Sequence, residues 1–260
     1  MKVTVHDVGH GSCVFAVAGN GNCLLVDCGH KADPLYRPSD FLPAQGCTAI
    51  EYLVITNFDE DHISDLPRLR SQLPIHCLTR NRSISSDQLR YLKLQVGPIT
   101  NALQALLEMH SGYTSPLNDP PPTPGIVFST YFNTYPSDFA DTNNLSLVCF
   151  MNVGGTKFVF PGDLAKPGWE LLLRRADFRS ELASVNVFLA SHHGRQDGYD
   201  PDVFRYCHPD VIVFSDGPIE YGTQDMTGTY AQHSRGILFN GQTRNVLTTR
   251  SDGSLTWTSE

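Results

Sequence analysis

At 260 residues, with 40% hydrophobic and 18% charged residues, the chain is long enough to close around one or two core layers and too apolar to be disordered. Nineteen Lys and Arg against 27 Asp and Glu give a formal net charge of -8, which excludes the broad basic face of a protein that grips long duplex DNA. Contact with nucleic acid would have to run through a local groove or through bound metal ions. The seven cysteines (Cys13, Cys23, Cys28, Cys47, Cys77, Cys149, Cys207) contain no CxxC pair, and several sit in apolar runs such as SLVCFMNV, so reduced, buried thiols are expected. MKVTVHDVGHG starts a strand with no apolar leader, and no uninterrupted apolar segment approaches the roughly 20 residues of a membrane helix. A cytoplasmic chain with no membrane contact is the expectation.

In chain order, residues 2–8, 12–18 and 22–27 read as short strands separated by the Gly-rich turns GHGS and AGNGN, with Asn20-Gly21 as a tight-turn dipeptide. Residues 29–48 carry Pro34, Pro38 and Pro43 and read as an excursion over a site. A strand at 52–56 runs into Asn57, Asp59, Asp61 and His62, after which DHISDLPRLRSQL opens a helix; IHCLTR is another strand. Ser86 caps a helix over 87–95, Gly97-Pro98 breaks it, and a second helix runs to about His110. The Pro-rich segment 111–125 is a loop. Strands follow at 126–135, 145–152 and 156–160, the last two joined through Gly154-Gly155. Pro167 opens the helix PGWELLLRR, whose Arg174 and Arg175 suit its C-terminal end. VNVFLA, DVIVFS, NVLTTR and SLTWTS complete the strands. This order, with two halves of similar build, predicts an α+β chain forming a single domain over 1–260. Two sheets pack face to face with helices outside, a four-layer αββα sandwich.

Four segments put metal-ligating side chains at the end of an apolar strand: Asn57/Asp59/Asp61/His62, Asn143-Asn144 opening LSLVCFMNV, Asp163 in KFVFPGDL, and His192-His193 in VFLASHHG. Extended geometry sends residues 57, 59 and 61 to one side. Singly, a Gly-Asp turn or a His pair is an ordinary surface feature. Together, Asp, His, Asp and His form a donor set for a divalent ion, and an acid at the end of a buried strand needs a cation beside it.

In order, these segments resemble the metallo-β-lactamase fold, and within it the C-terminal domain of the ComEC-type competence proteins. DVGHGS resembles that subgroup's DVGQGD, CLLVDCG its strand followed by D-x-G, and YLVITNFDEDHISDL its metal motif and helix. NNLSLV, FVFPGDL, LASHHG and TTRSDGSLTWT continue the series. The resemblance implies a metal-dependent hydrolase, most directly a nuclease or phosphodiesterase that cuts DNA or RNA with metal-activated water. It also implies that Asp61, His62, Asp163 and His192 form the second metal site. His192 is preferred to His193 because a small residue precedes the ligand in related motifs. Asp163 matches the carboxylate that bridges two metals.

The departures are as informative. The family's H-x-H-x-D-H reads N-x-D-x-D-H here, so Asn57 and Asp59 replace two first-site histidines, and position 12 is serine where the subgroup has an acid. Asn143 or Asn144 stands where other branches carry a third first-site histidine. Two readings stay open: the second site alone is filled, or Asp59 serves as an oxygen ligand and both sites fill. Oxygen donors move the preference from Zn²⁺ towards Mn²⁺ or Mg²⁺. Asp61, His193 and His233 are the expected catalytic groups, Lys166 and Tyr221 further substrate contacts, and His10 and His30 loop neighbours. Hydrolysis of a small ester, thioester or lactam is a second class of function. A non-catalytic binding module in a larger assembly is a third, favoured by the lost histidines.

Overall fold

A computed structural model describes residues 1–259. In chain order the strands of the first half are β1 (Lys2–Val5), β2 (Val14–Val17), β3 (Cys23–Val26), β4 (Ile50–Val54), β5 (Ile75–Thr79), β6 (Ile126–Tyr131) and β7 (Val148–Val153). Those of the second are β8 (Thr156–Phe160), β9 (Val187–Leu189), β10 (Val211–Phe214), β11 (Ile237–Phe239), β12 (Gln242–Arg244), β13 (Val246–Thr248) and β14 (Leu255–Thr258). Two six-stranded sheets result, ordered β14-β1-β2-β3-β4-β5 and β13-β10-β9-β8-β7-β6, with β11 and β12 as a separate hairpin.

The strands alternate because each sheet is covered on both faces. Along β2, Val14 and Ala16 join the core between the sheets while Phe15 points to the outer helices. Along β10, Val211 and Val213 face the other sheet while Ile212 and Phe214 face outwards. A two-residue side-chain period on a doubly buried strand gives this result. The outer helices of the first sheet (Pro38–Ala44, Leu66–Gln72, Ser86–Leu94, Asn101–Gly112) supply Leu42, Leu66, Leu89 and Leu106 to its outer core. Those of the second (Lys166–Leu172, Ala176–Leu182, Thr227–Ala231) supply Trp169, Phe178, Leu182 and Tyr230. Three apolar layers separate four structural ones, as the αββα expectation requires.

Both sheets change from antiparallel to parallel pairing part-way across. β1, β2 and β3 form an antiparallel meander, after which β4 lies parallel to β3 and β5 to β4. In the second sheet β6, β7 and β8 are antiparallel, and β9, β10 and β13 continue in parallel. Parallel pairing aligns the C-terminal ends of β3, β4, β8 and β9. The loops that leave β4, β8 and β9 carry Asn57 to His62, Asp163 and His192-His193, while Asn143 and Asn144 precede β7.

Several local expectations change. The excursion at 29–48 contains the helix Pro38–Ala44, where Pro38 occupies the first turn and Leu42 is buried. The first of the paired helices is capped by Ser85, whose hydroxyl accepts from Gln88 N while Gln88 Oε1 accepts from Ser85 N; Ser86 bonds Leu107 O instead. Arg175 stands at the start of an unanticipated helix, Ala176–Leu182. All seven cysteines are unpaired, and all but Cys77 are buried, as expected of reduced thiols. No helix among the described residues is long and apolar enough to cross a membrane.

Candidate metal centre

The loop after β4 does not stay extended. Asn57 Oδ1 accepts from Asp59 N at 2.8 Å, and a helical turn, Glu60–Ile63, follows with Asp59 at its start. The strand-like geometry expected for residues 57, 59 and 61 therefore fails at Glu60, and Asp61 and His62 are presented from a helix. Two turns clamp this segment by its backbone. Ser12 N donates to Asp61 O at 3.1 Å and Cys28 N to His62 O at 2.7 Å. A Cβ on Gly29 would stand 2.1 Å from Asp61 O, so the D-x-G turn needs its glycine for this close approach.

From the second sheet, Asp163 leaves β8 with its N–H on Ser146 Oγ at 3.2 Å. After β9, His192 and His193 both adopt the left-handed region, at φ 51 and 53. Gly194 follows at φ +79, where a Cβ would stand 1.8 Å from the Phe214 ring. Non-glycine residues held in this region carry backbone strain, which is concentrated at functional sites. Asp27, at φ 58, is a third example.

These loops bring Asp61, His62, Asp163 and His193 together, with one ligand atom from each lying within 4.8 Å of all the others. His62 Nε2 is 3.0 Å from Asp163 Oδ1, and His193 Nε2 is 3.0 Å from Asp61 Oδ2 and 3.5 Å from Asp163 Oδ1. The outer ring nitrogens are anchored. His62 Nδ1 donates to Asp27 Oδ2 at 2.8 Å, and His193 Nδ1 donates to the Ser215 carbonyl at 2.7 Å. Asp27 is in turn fixed by Thr56 N at 2.8 Å and Thr56 Oγ1 at 2.5 Å. With Nδ1 engaged outwards, both Nε2 atoms face the cluster, the arrangement that orients a metal-binding imidazole.

Burial opposes charge on all four groups, yet their neighbours override it. Against that burial, the close approach of His193 Nε2 and the charges of His62 and His193 hold Asp61 well below the usual carboxylate range. His62 and His193 keep buried Asp163 at about 2. Despite burial, Asp163 and Asp27 push His62 far above its ordinary value, and Asp163 and Asp61 raise His193. The carboxylates thus draw positive charge onto the imidazoles, charge that a divalent cation supplies equally well. His193 Nε2 is buried and lacks an aligned hydrogen-bond partner. Two carboxylate oxygens and two imidazole nitrogens, one of them orphaned, fit a divalent ion.

The sequence signature of the metallo-beta-lactamase superfamily matches residues 6–77. Among characterised proteins, the chain is 25% identical over 233 residues to ComE operon protein 3 of Bacillus subtilis (strain 168), covering 83% of this chain and 28% of that protein. It therefore spans little more than a quarter of the relative's length. Among solved structures, it is similar to YhfI from Bacillus subtilis, described as a metallo-beta-lactamase fold protein (12% identity, TM-score 0.52, 99% of this chain and 100% of that one). Zn(2+)-bound PqqB from Methylobacterium extorquens matches at 13% identity and TM-score 0.53, with 100% of each chain covered. CmlA, a diiron beta-hydroxylase from Streptomyces venezuelae, matches at 14% identity and TM-score 0.54, covering 98% of this chain and 54% of that one. This chain has the metallo-β-lactamase fold. The superfamily match and the donor cluster together indicate a metal-dependent hydrolase fold with a candidate site for a divalent ion.

Within this metallo-β-lactamase fold, several expected site residues lie elsewhere. His192 Nδ1 is 2.9 Å from Asp197 and its Nε2 3.9 Å from Asp163 Oδ2, so its neighbour His193 takes the place in the cluster. Asp59 pairs with Lys93. Asn57 Nδ2 donates to Ser146 Oγ at 3.0 Å and Asn143 Oδ1 at 3.4 Å, while Asn144 Oδ1 accepts from Gly168 N at 2.8 Å. His233 stacks on Phe204 and bonds Tyr199 Oη at 2.8 Å. Lys166 pairs with Glu170, Tyr221 is exposed, and His30 bonds Ser64 Oγ at 2.7 Å. His10 does approach the cluster, 3.7 Å from Asp61 Oδ2, and burial with the His193 charge pushes it down to about 4.

Two participants had little signal in the sequence. Asp27 stands in the quoted CLLVDCG motif, but nothing there shows that it supports His62. Lys93 ends a helix far along the chain; burial pulls it down to about 8 while Asp163 acts to raise it. Replacing Asp27 by Asn keeps the acceptor for Thr56 N and removes the charge and the acceptor oxygen facing His62. We expect metal affinity to fall about 10- to 100-fold by calorimetric titration, and a loss under about threefold would refute this support.

Proposed function

We propose that this chain is a metal-dependent phosphodiesterase that cleaves DNA or RNA, holding its divalent ion through Asp61, His62, Asp163 and His193. The reading is carried by the convergence of these four donors with both imidazoles anchored at Nδ1. A divalent ion bound there would lower the pKa of water from ~16 towards ~7 and polarise the scissile group. Asp61 is the most accessible of the four, at 26% side-chain exposure against 1% for His62, so it faces the mouth, where its carboxylate would orient the attacking water. Asp163 and His62 form the floor. The two hard carboxylates favour Mn²⁺ or Mg²⁺, while the imidazoles keep Zn²⁺ within range.

An anionic phosphodiester is supported by two cations beside the site. Lys93 lies against Asp59, and Arg195 lies 3.1 Å from His10 Nε2. They supply local positive charge in a chain whose formal net charge is -8. The resemblance of the motif series to ComEC-type domains supports the same substrate class.

The test is cleavage of single- and double-stranded DNA and of RNA by the purified chain with Mn²⁺, Mg²⁺ or Zn²⁺ and with chelator. Chelator-sensitive cleavage, fastest with Mn²⁺, is the expected result; no cleavage with any ion defeats the proposal. Asn57, tied to Ser146 and Asn143 where the family motif has histidine, favours a second reading as a binding module. Retention of the ion without turnover would establish that alternative.

A further inference from the structure

The helix Ser86–Leu94 sends one charged side chain towards the centre. The Lys93 side chain is only 11% exposed; its ammonium donates to Asp59 and lies 3.4 Å from Thr142 Oγ1. The place it reaches adjoins the cluster. The Ser146 hydroxyl accepts from both Asn57 Nδ2, at 3.0 Å, and Asp163 N, at 3.2 Å, so one side chain joins the two parts. Asp59 is fixed by its own N–H on Asn57 Oδ1, at 2.8 Å. The polar nest of Asn57, Asp59, Thr142 and Asn143 therefore contains a cation supplied by the chain itself.

An ammonium has three donors in a compact charge, and a lone carboxylate and a distant hydroxyl leave donor capacity unused. A second divalent ion at Asp59 would have to share that carboxylate with the ammonium and would be repelled by it. An anion bridging the four-donor cluster and Lys93 would be attracted by both.

We propose that Lys93 is the second cation of this centre, binding a phosphate oxygen of the substrate beside a single divalent ion. The proposal rests on the phosphodiesterase reading for its substrate class, and its test is separable from that reading. Chelator-stripped protein is reloaded with Mn²⁺ and its ions per chain counted by elemental mass spectrometry. Inorganic phosphate is then titrated calorimetrically, with and without Mn²⁺, into the wild type, Lys93→Gln and Lys93→Arg. Asp59 has 36% side-chain exposure, so solvent can take over its charge in the Gln variant, and thermal melting checks that each variant is folded.

The expected result is one ion in the wild type, phosphate binding weakened about tenfold or more in Lys93→Gln with and without Mn²⁺, and binding within about threefold of wild type in Lys93→Arg. Two ions in the wild type, no phosphate binding by the wild type, or unchanged affinity in Lys93→Gln overturns the proposal. Nucleic-acid cleavage together with Lys93-indifferent phosphate binding would sink Lys93 alone. Lys93-dependent phosphate binding without cleavage would sink only the nuclease reading.

Discussion

Asp163→Ala is expected to release the divalent ion and lower kcat/KM for nucleic-acid cleavage by about a thousandfold or more. Asp163 has 3% side-chain exposure, and Oδ1 lies 3.0 Å from His62 Nε2 and 3.5 Å from His193 Nε2. The other cluster carboxylate, Asp61, pairs with His193 Nε2 and not with His62. Its removal leaves His62 facing Asp27 alone and His193 facing only Asp61. Breaking a buried pair from one side typically costs about 3–5 kcal/mol, so the metal-free variant should also melt earlier. The test combines ion content, steady-state kinetics at saturating Mn²⁺ and thermal melting. Activity within tenfold of wild type would remove Asp163 from the centre.

A larger contrast should appear between two neighbours. His193→Ala is expected to lose the ion and at least about a hundredfold in kcat/KM, whereas His192→Ala should keep both within about tenfold. His193 offers Nε2 to the cluster while Nδ1 is tied to Ser215; His192 is turned towards Asp197. Both residues occupy left-handed backbone, at φ 51 and 53, so the two alanine variants carry the same conformational burden. Their difference therefore reports side-chain role. Metal content and kinetics measured in parallel decide it, and the reverse order would return His192 to the ligand set.

The layer architecture was legible because it is written in local alternation. Val14, Phe15 and Ala16 assign their faces by position alone, and the apolar runs ending in NFDEDH, GD and HHG mark the aligned strand ends. What was not legible depended on single backbone choices or distant contacts. Choosing between adjacent histidines requires the φ values of the turn, and no side-chain chemistry distinguishes them. The helical turn starting at Glu60 replaced the extended spacing, which moved Asp59 away from Asp61 and towards Lys93. That lysine lies 34 residues downstream of its partner, on a helix whose sequence reads as an ordinary amphipathic one. Asp27 was visible within its motif, but its partnership with His62 spans 35 positions and emerges only from the parallel pairing of β3 with β4.

Asp61 and His62 hang from the first sheet, Asp163 and His193 from the second. Neither half holds more than two donors, so ion capture requires the halves to be seated on one another. The bound cation would then act as a rivet across the seam, and the strength of its grip would register any motion that pries the halves apart, however far from the rivet that motion begins.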